Sequence, residues 1–247
     1  MITSTTFDPK VSAPIVCCEY LRATAFFYSL RGSVFLITAR HNVLPTHSKI
    51  ENPVSDGFLY TVTTSGYYPE IDIFLRDGDG WTRKQIDLRR KGEGQVVSHP
   101  RIDVVAVEIG FDPRTFGYTV FSVEEVQNRA DAEDAVIYGW GHDALPPSEE
   151  PHSMKAFAEH VDTPCEVGIK DAQILDGTIV GMGADYNPDG ANKYKGLSGS
   201  PVLGNGLLGV YSGTAFLGPE AVAMLSSTGS LLRMHFYGLD FLEVLLS

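Results

Sequence analysis

Cysteine is scarce in this chain: Cys17, Cys18 and Cys165 are the only three in 247 residues. An odd number without paired spacing excludes a disulfide-framework domain and points to a reducing compartment, so no structural disulfide is expected. Cys17 and Cys18 are read as small hydrophobes packed near a strand. Basic residues are also few, 19 against 31 acidic ones, for a formal net charge of −12. That balance argues against a nucleic-acid-binding surface. No apolar run approaches the roughly 18 residues a membrane span needs. The stretch Met1 to Lys10 lacks the charged-then-apolar order of a secretory signal. Neither nucleic acid nor membrane is expected as a partner, and the expected location is cytoplasmic. No Cys/His spacing fits zinc. Asp185-x-Asn187-x-Asp189-Gly190 matches half of an EF-hand loop, but its twelfth position is Gly196 where a bidentate glutamate is required. Asp77-Gly78-Asp79-Gly80 lacks a downstream ligand too. Both are read as turns, and no cofactor or metal is expected.

What is present is a succession of short β-rich runs: 14–20, 24–30, 33–38, 58–64, 71–75, 103–109, 118–122, 135–139, 173–180, 201–203 and 207–212. Gly, Asn, Asp and Pro turns punctuate them, and Gly204-Asn205-Gly206 between two such runs predicts a hairpin. Many short strands predict an all-β sandwich or barrel. The polar stretch Ser122 to Asp134 reads as a crossover between halves. Only the C-terminus, about Leu232 to Leu246, reads as a helix, with Phe236, Leu239, Phe241, Leu242, Val244 and Leu245 on one face. The basic cluster Arg83, Lys84, Arg89, Arg90 and Lys91 reads as a solvated hairpin face, with a partner-docking patch as the alternative.

Three segments carry chemistry. An apolar run, Val34 to Ala39, ends in Arg40-His41; Asp103 opens a second, Val104 to Ile109; Gly196-Leu197-Ser198-Gly199-Ser200-Pro201 holds a serine between glycines. A serine is a poor nucleophile at neutral pH unless a base takes its proton as it attacks. An imidazole suits that task, and a carboxylate on its far nitrogen fixes the tautomer and stabilises the imidazolium. On this logic Ser198 attacks, His41 is the base and then the acid, and Asp103 orients His41. Ser200 is the alternative nucleophile. His47, His99, His142, His152, His160 and His235 follow no comparable strand and read as loop or surface residues, with His99 a candidate to line the substrate site.

Together these segments resemble the trypsin-like (chymotrypsin-fold) serine peptidases, whose pattern is T-A-x-H, then D-[IV]-A-[LV] on a strand, then G-x-S-G-[GS]-P. Here Val105 is inserted before Ala106, and Val136-Ile137-Tyr138-Gly139-Trp140-Gly141 is similar to the strand opening the family's second barrel. The resemblance spans roughly residues 30 to 215. It implies two six-stranded antiparallel β-barrels with the site between them, a C-terminal α-helix, residues 1–120 carrying His41 and Asp103, and residues 121–247 carrying Ser198. It also implies an oxyanion hole from the N–H groups of Gly196 and Ser198, and a substrate site at Asn192, Ser212, Gly213 and Thr214.

Departures from the family are informative. Leu197 stands where digestive trypsins carry an aspartate that receives a new N-terminal ammonium, so activation by N-terminal insertion is not expected. No cysteine flanks His41. The chain looks closer to intracellular prokaryotic or viral relatives without disulfides. The expected function is that of a serine endopeptidase acting on a protein or peptide. Control by a regulatory protein partner through the Gly181 to Gly196 stretch is the accompanying expectation. The alternatives are a catalytically silent protein-binding module and an esterase or acyltransferase with the same triad.

Overall fold

The computed structural model describes residues 10–17, 21–43, 68–89, 96–98, 104–122, 135–140, 165–175, 178–183, 196–204, 206–216 and 232–238. Its elements are β1 (Ala13–Cys17), β2 (Leu21–Leu30), β3 (Ser33–Ala39), a single helical turn α1 (Arg40–Val43), β4 (Glu70–Asp77), β5 (Gly80–Asp87), β6 (Val96–Ser98) and β7 (Val104–Glu108). A 3₁₀ turn (Pro113–Phe116) follows, and then β8 (Val120–Phe121), β9 (Ala135–Gly139), β10 (Cys165–Leu175), β11 (Thr178–Gly183), β12 (Pro201–Leu203), β13 (Leu207–Phe216) and β14 (Leu232–Gly238).

Two sheets result. The first runs in the order β5-β4-β1-β2-β3-β7-β6, with β8 added parallel to β2. Six strands of five or more residues make its body, and the short β6 and β8 extend it. The second is a closed six-stranded barrel, β10-β11-β14-β13-β12-β9. The all-β reading of the sequence therefore holds, and a curled first sheet beside a closed barrel is consistent with the double-barrel fold.

The central strands of the first sheet are continuous apolar runs because both of their faces are buried. Residues alternate sides along a strand. Ala23, Ala25 and Phe27 of β2, Leu36 of β3, and Val105 and Val107 of β7 belong to one cluster, with Ile15, Ile71, Ile73 and Leu75. The intervening Phe26 and Tyr28, Phe35 and Ile37, and Val104 and Ala106 belong to a second cluster, which includes Leu207 and Val210 of the barrel. One face thus builds the first sheet's own core and the other packs on the barrel. Cys17, outside any disulfide, lies fully buried in the first cluster, where a small hydrophobe fits.

Two expectations from sequence are corrected. Leu232–Gly238, the start of the expected C-terminal helix, is β14, which pairs with β11 and β13 and closes the barrel. Leu232, Met234 and Phe236 alternate with Arg233, His235 and Tyr237, a period of two that suits a strand. Residues 239–246 of that expectation lie outside the described residues. The single run 173–180 is two antiparallel strands, β10 and β11, with Leu175 opposite Thr178. Asp176-Gly177 between them is a hairpin signal that outweighs the apolar continuity on either side. The hairpin expected at 204–206 is present, with Leu203 opposite Leu207, while the run 58–64 lies outside the described residues.

Candidate active site

β3 pairs with β2 on one side and β7 on the other, and its last residue, Ala39, lies opposite Val104. The chain then turns once as α1, which carries His41, half-buried, just beyond the end of this central strand. Asp103 immediately precedes β7 and is outside the described residues.

The turn Gly196–Ser200 enters the barrel through β12. Gly199 N–H donates to the Tyr211 carbonyl (2.7 Å) and Tyr211 N–H to the Ser200 carbonyl (2.9 Å), tying the turn to β13. Gly199 has φ +94°, and a Cβ there would collide with the Thr24 carbonyl oxygen and Thr38 Oγ1. Only glycine satisfies both demands. The first of the two serines, Ser198, is half-buried. The second, Ser200, is fully buried and its hydroxyl donates to the Leu197 carbonyl (2.5 Å). A hydroxyl so enclosed and committed does not reach a substrate, which removes Ser200 as the alternative nucleophile.

The first sheet grips this turn directly. Asn42, next to His41, is buried, and its Nδ2 donates to the Ser198 carbonyl (2.9 Å) and to Thr38 Oγ1 (3.0 Å). Thr38 Oγ1 in turn donates to the Thr24 carbonyl (2.8 Å). Thr24 N–H donates to the Ser198 carbonyl (3.1 Å), and its hydroxyl donates to the Gly196 carbonyl (2.8 Å). The Trp140 N–H donates to that same hydroxyl oxygen (2.8 Å). A peptide and a side-chain amide from the histidine side therefore both hold the carbonyl of Ser198. Every polar atom of Thr24 is used, as a buried polar group in an apolar strand requires.

Trp140 is fixed further by Nε1 donating to the Ser12 carbonyl (3.2 Å) and by an edge-to-face contact with Trp81, centroids 5.3 Å apart. Gly139 ahead of it leaves room for the site: a Cβ there would meet Ser200 Oγ, Leu197 and Thr24 Oγ1. The Gly139-Trp140 pair is thus a support for the serine turn.

Of the expected substrate-site residues, Ser212, Gly213 and Thr214 lie on β13 directly after Tyr211, the residue that holds the turn. A register shift between Tyr211 and Gly213 interrupts the pairing with β14 at that point. Asn192 and His99 lie outside the described residues, as do His47, His142, His152, His160 and the Asp185–Asp189 segment. Asp77–Gly80 is the turn joining β4 to β5.

The basic residues on β5 and just after it are engaged by neighbouring side chains. Arg83 pairs with the buried Asp72 (2.7 Å), which also accepts from Gln85 (3.2 Å). Lys84 lies over the rings of Phe111 and Phe116. Arg89 pairs with Asp87 (2.9 Å), and that hydrogen bond raises the pKa of its guanidinium. Arg90 and Lys91 are outside the described residues.

Sequence reasoning missed Thr24, Asn42 and the supporting role of Ser200. One signal was available: Thr24 is the lone polar residue in Ala23-Thr24-Ala25-Phe26-Phe27.

No family model and no curated protein matches the sequence. Solved structures do. The thermostable serine protease AL20 from an extremophilic microorganism aligns over 96% of this chain and 96% of its own, at 11% identity and a TM-score of 0.52. The protease Anisep from Arthrobacter nicotinovorans aligns over 93% of this chain and 90% of its own, at 13% identity and a TM-score of 0.50. The atomic-resolution structure of HBP aligns over 97% of this chain and 94% of its own, also at 13% identity and 0.50. With its β-rich first sheet, its closed second barrel and a serine turn clamped between them, the chain has the trypsin-like, chymotrypsin-type fold of the serine proteases.

Proposed function

We propose that the protein is a serine endopeptidase that hydrolyses peptide bonds through Ser198, His41 and Asp103. The observation that carries this reading is the bond from Asn42 Nδ2 to the Ser198 carbonyl, which sets the candidate nucleophile beside the turn bearing the candidate base. The register supports Asp103 as the third member, since the next residue, Val104, lies opposite Ala39.

His41 takes the Ser198 hydroxyl proton as Oγ attacks the scissile carbonyl, forming a tetrahedral oxyanion. The N–H groups of Gly196 and Ser198 bind that oxyanion, favouring charge that exists only near the transition state. The imidazolium returns the proton to the leaving amine, leaving an acyl-serine ester. Water, deprotonated by His41, then attacks the ester, and Ser198 recovers its proton as the acid product leaves. Asp103 keeps the imidazole in the working tautomer and stabilises its charged form. The backbone of Ser212 to Thr214, which starts at the register shift in the pairing of β13 with β14, is the edge on which an extended substrate docks, and Asn192 belongs to the side-chain pocket. The protein is assigned to a reducing, cytoplasmic compartment on its cysteine usage.

Fluorophosphonate labelling followed by peptide mapping tests this. Label on Ser198, abolished by Ser198→Ala and still acquired, though more slowly, by Ser200→Ala, is the expected result. A folded wild-type protein that takes no label and cleaves no peptide would instead be a silent binding module. Turnover of esters without peptides would indicate an esterase.

A further inference from the structure

Three consecutive carbonyls of the serine turn are all occupied. That of Gly196 accepts from Thr24 Oγ1, that of Leu197 from Ser200 N–H (2.9 Å) and Ser200 Oγ, and that of Ser198 from Thr24 N–H and Asn42 Nδ2. A trans peptide is planar, with its N–H pointing opposite its carbonyl. Holding the Leu197 carbonyl therefore sets the direction of the Ser198 N–H. Holding the Gly196 carbonyl likewise sets the plane of the Gly196–Leu197 peptide, the unit between Gly196 and the peptide that carries the Ser198 N–H.

The proton positions follow from the partners. A carbonyl only accepts, so the hydroxyl protons of Thr24 and Ser200 both lie on the turn. The Thr24 oxygen receives the Trp140 N–H in return, which anchors it from behind. Both hydroxyls are fully buried, where such bonds are least exposed to exchange with water. They meet in the space that Gly139 leaves empty, since a Cβ there would strike both Oγ atoms. Leu197, between them, is also fully buried. The clamp thus consists of neutral groups.

We propose that the hydroxyls of Thr24 and Ser200 are positioning groups that hold the serine turn with its N–H donors aimed at the oxyanion. This rests on the peptidase reading of Ser198. Neither group touches substrate. Their effect reaches the reaction through two peptide planes, so it belongs to the chemical step and leaves ground-state binding alone. Because neither hydroxyl titrates near neutral pH, their loss lowers the rate by the same factor across the pH profile.

The test uses the full chain with p-nitrophenyl acetate and a fluorophosphonate, comparing wild type, Thr24→Val, Thr24→Ser and Ser200→Ala. Small misplacements of a reacting geometry cost up to about a hundredfold. Thr24→Val and Ser200→Ala are each expected to lose about ten- to a hundredfold in kcat and in labelling rate, with KM and the shape of the pH profile unchanged. Thr24→Ser, which keeps the hydroxyl, restores the rate. If Thr24→Val does not fold, Ser200→Ala alone decides. A wild type that neither labels nor turns over overturns the peptidase reading and this inference with it. An active wild type with unimpaired Ser200→Ala and Thr24→Val overturns the inference alone. So does a loss that Thr24→Ser fails to restore, or one confined to KM.

Discussion

The histidine end of β3 and the serine turn lie side by side, yet they are held by different forces. β3 is a regular strand with ladder partners on both sides, and its side chains alternate between two apolar clusters. His41 inherits its position from that ladder. The turn at 196–200 belongs to no strand and is held by backbone groups of β2 and β13 and by the side chains of Thr24, Asn42 and Ser200. The strand resists change through many small packing terms. The turn depends on a few directional bonds, three of which come from the replaceable side chains of Thr24, Asn42 and Ser200. The proposed triad would thus have one half fixed by packing and one held by directional bonds.

The largest effects are expected where the two halves meet in chemistry. Ser198→Ala and His41→Ala should each lower peptidase turnover by about 10⁴-fold or more, with circular dichroism unchanged. Asp103→Asn should cost on the order of 10⁴ near neutral pH, because the amide favours the wrong imidazole tautomer. Substantial turnover by any of these variants would remove it from the triad.

Next comes a change that strikes only the strand half. Phe27 is fully buried, with edge-to-face contacts to Phe111 and Tyr118. Phe27→Ala is expected to cost about 3–5 kcal/mol in urea unfolding. Activity per folded molecule should stay near wild type at low temperature. If instead activity collapsed while stability held, the division between packing and positioning would be wrong.

Gly199→Ala strikes the turn where it rests on β2 and β3. Its positive φ and the close approach of the Thr24 carbonyl make any side chain strained, at about 1–3 kcal/mol for the backbone alone. Labelling by fluorophosphonate should fall far more steeply than the unfolding midpoint. Equal loss of both would mean that the turn supports the whole barrel. Asn42→Ala is milder: the Ser198 carbonyl keeps Thr24 N–H, so about 1–2 kcal/mol of stability is at stake. A cost well beyond that would make Asn42 the principal tie between the halves.

The smallest effect is predicted at the exposed turn just after β5. Arg89→Gln breaks an exposed pair with Asp87. Its hydrogen bond raises the guanidinium pKa, so that contribution would be lost only as pH rises beyond the normal arginine range, far from working conditions. Unfolding midpoint and labelling rate at pH 7 should match wild type, and a clear loss of either would mark this face as a partner surface.

Much of the strand half was legible in the sequence. Val34 to Ala39 running into His41, and Val104 to Val107 after Asp103, are apolar stretches whose local composition already demands burial on both faces. The serine turn announced itself through Gly196, Gly199 and Pro201. The C-terminal segment misled, because Phe236, Leu239, Phe241 and Leu242 fit a helical stripe while the alternation from Leu232 to Tyr237 fits a strand. Periodicity over so short a span does not arbitrate between them. The pairing of β14 with β11 and β13 does.

By itself, the order of amino acids determined an all-β chain with a histidine at a strand end and a serine in a glycine-bounded turn. Those features are local, written in residues within a few positions of one another. Only the tertiary structure decided which serine is half-buried and which is fully enclosed, and which groups hold the turn. Thr24 reaches Gly196 across 172 positions and Asn42 reaches Ser198 across 156. A hydrogen bond between residues so distant leaves no local pattern. It exists only once two sheets have packed and brought a buried donor to a carbonyl that needs it.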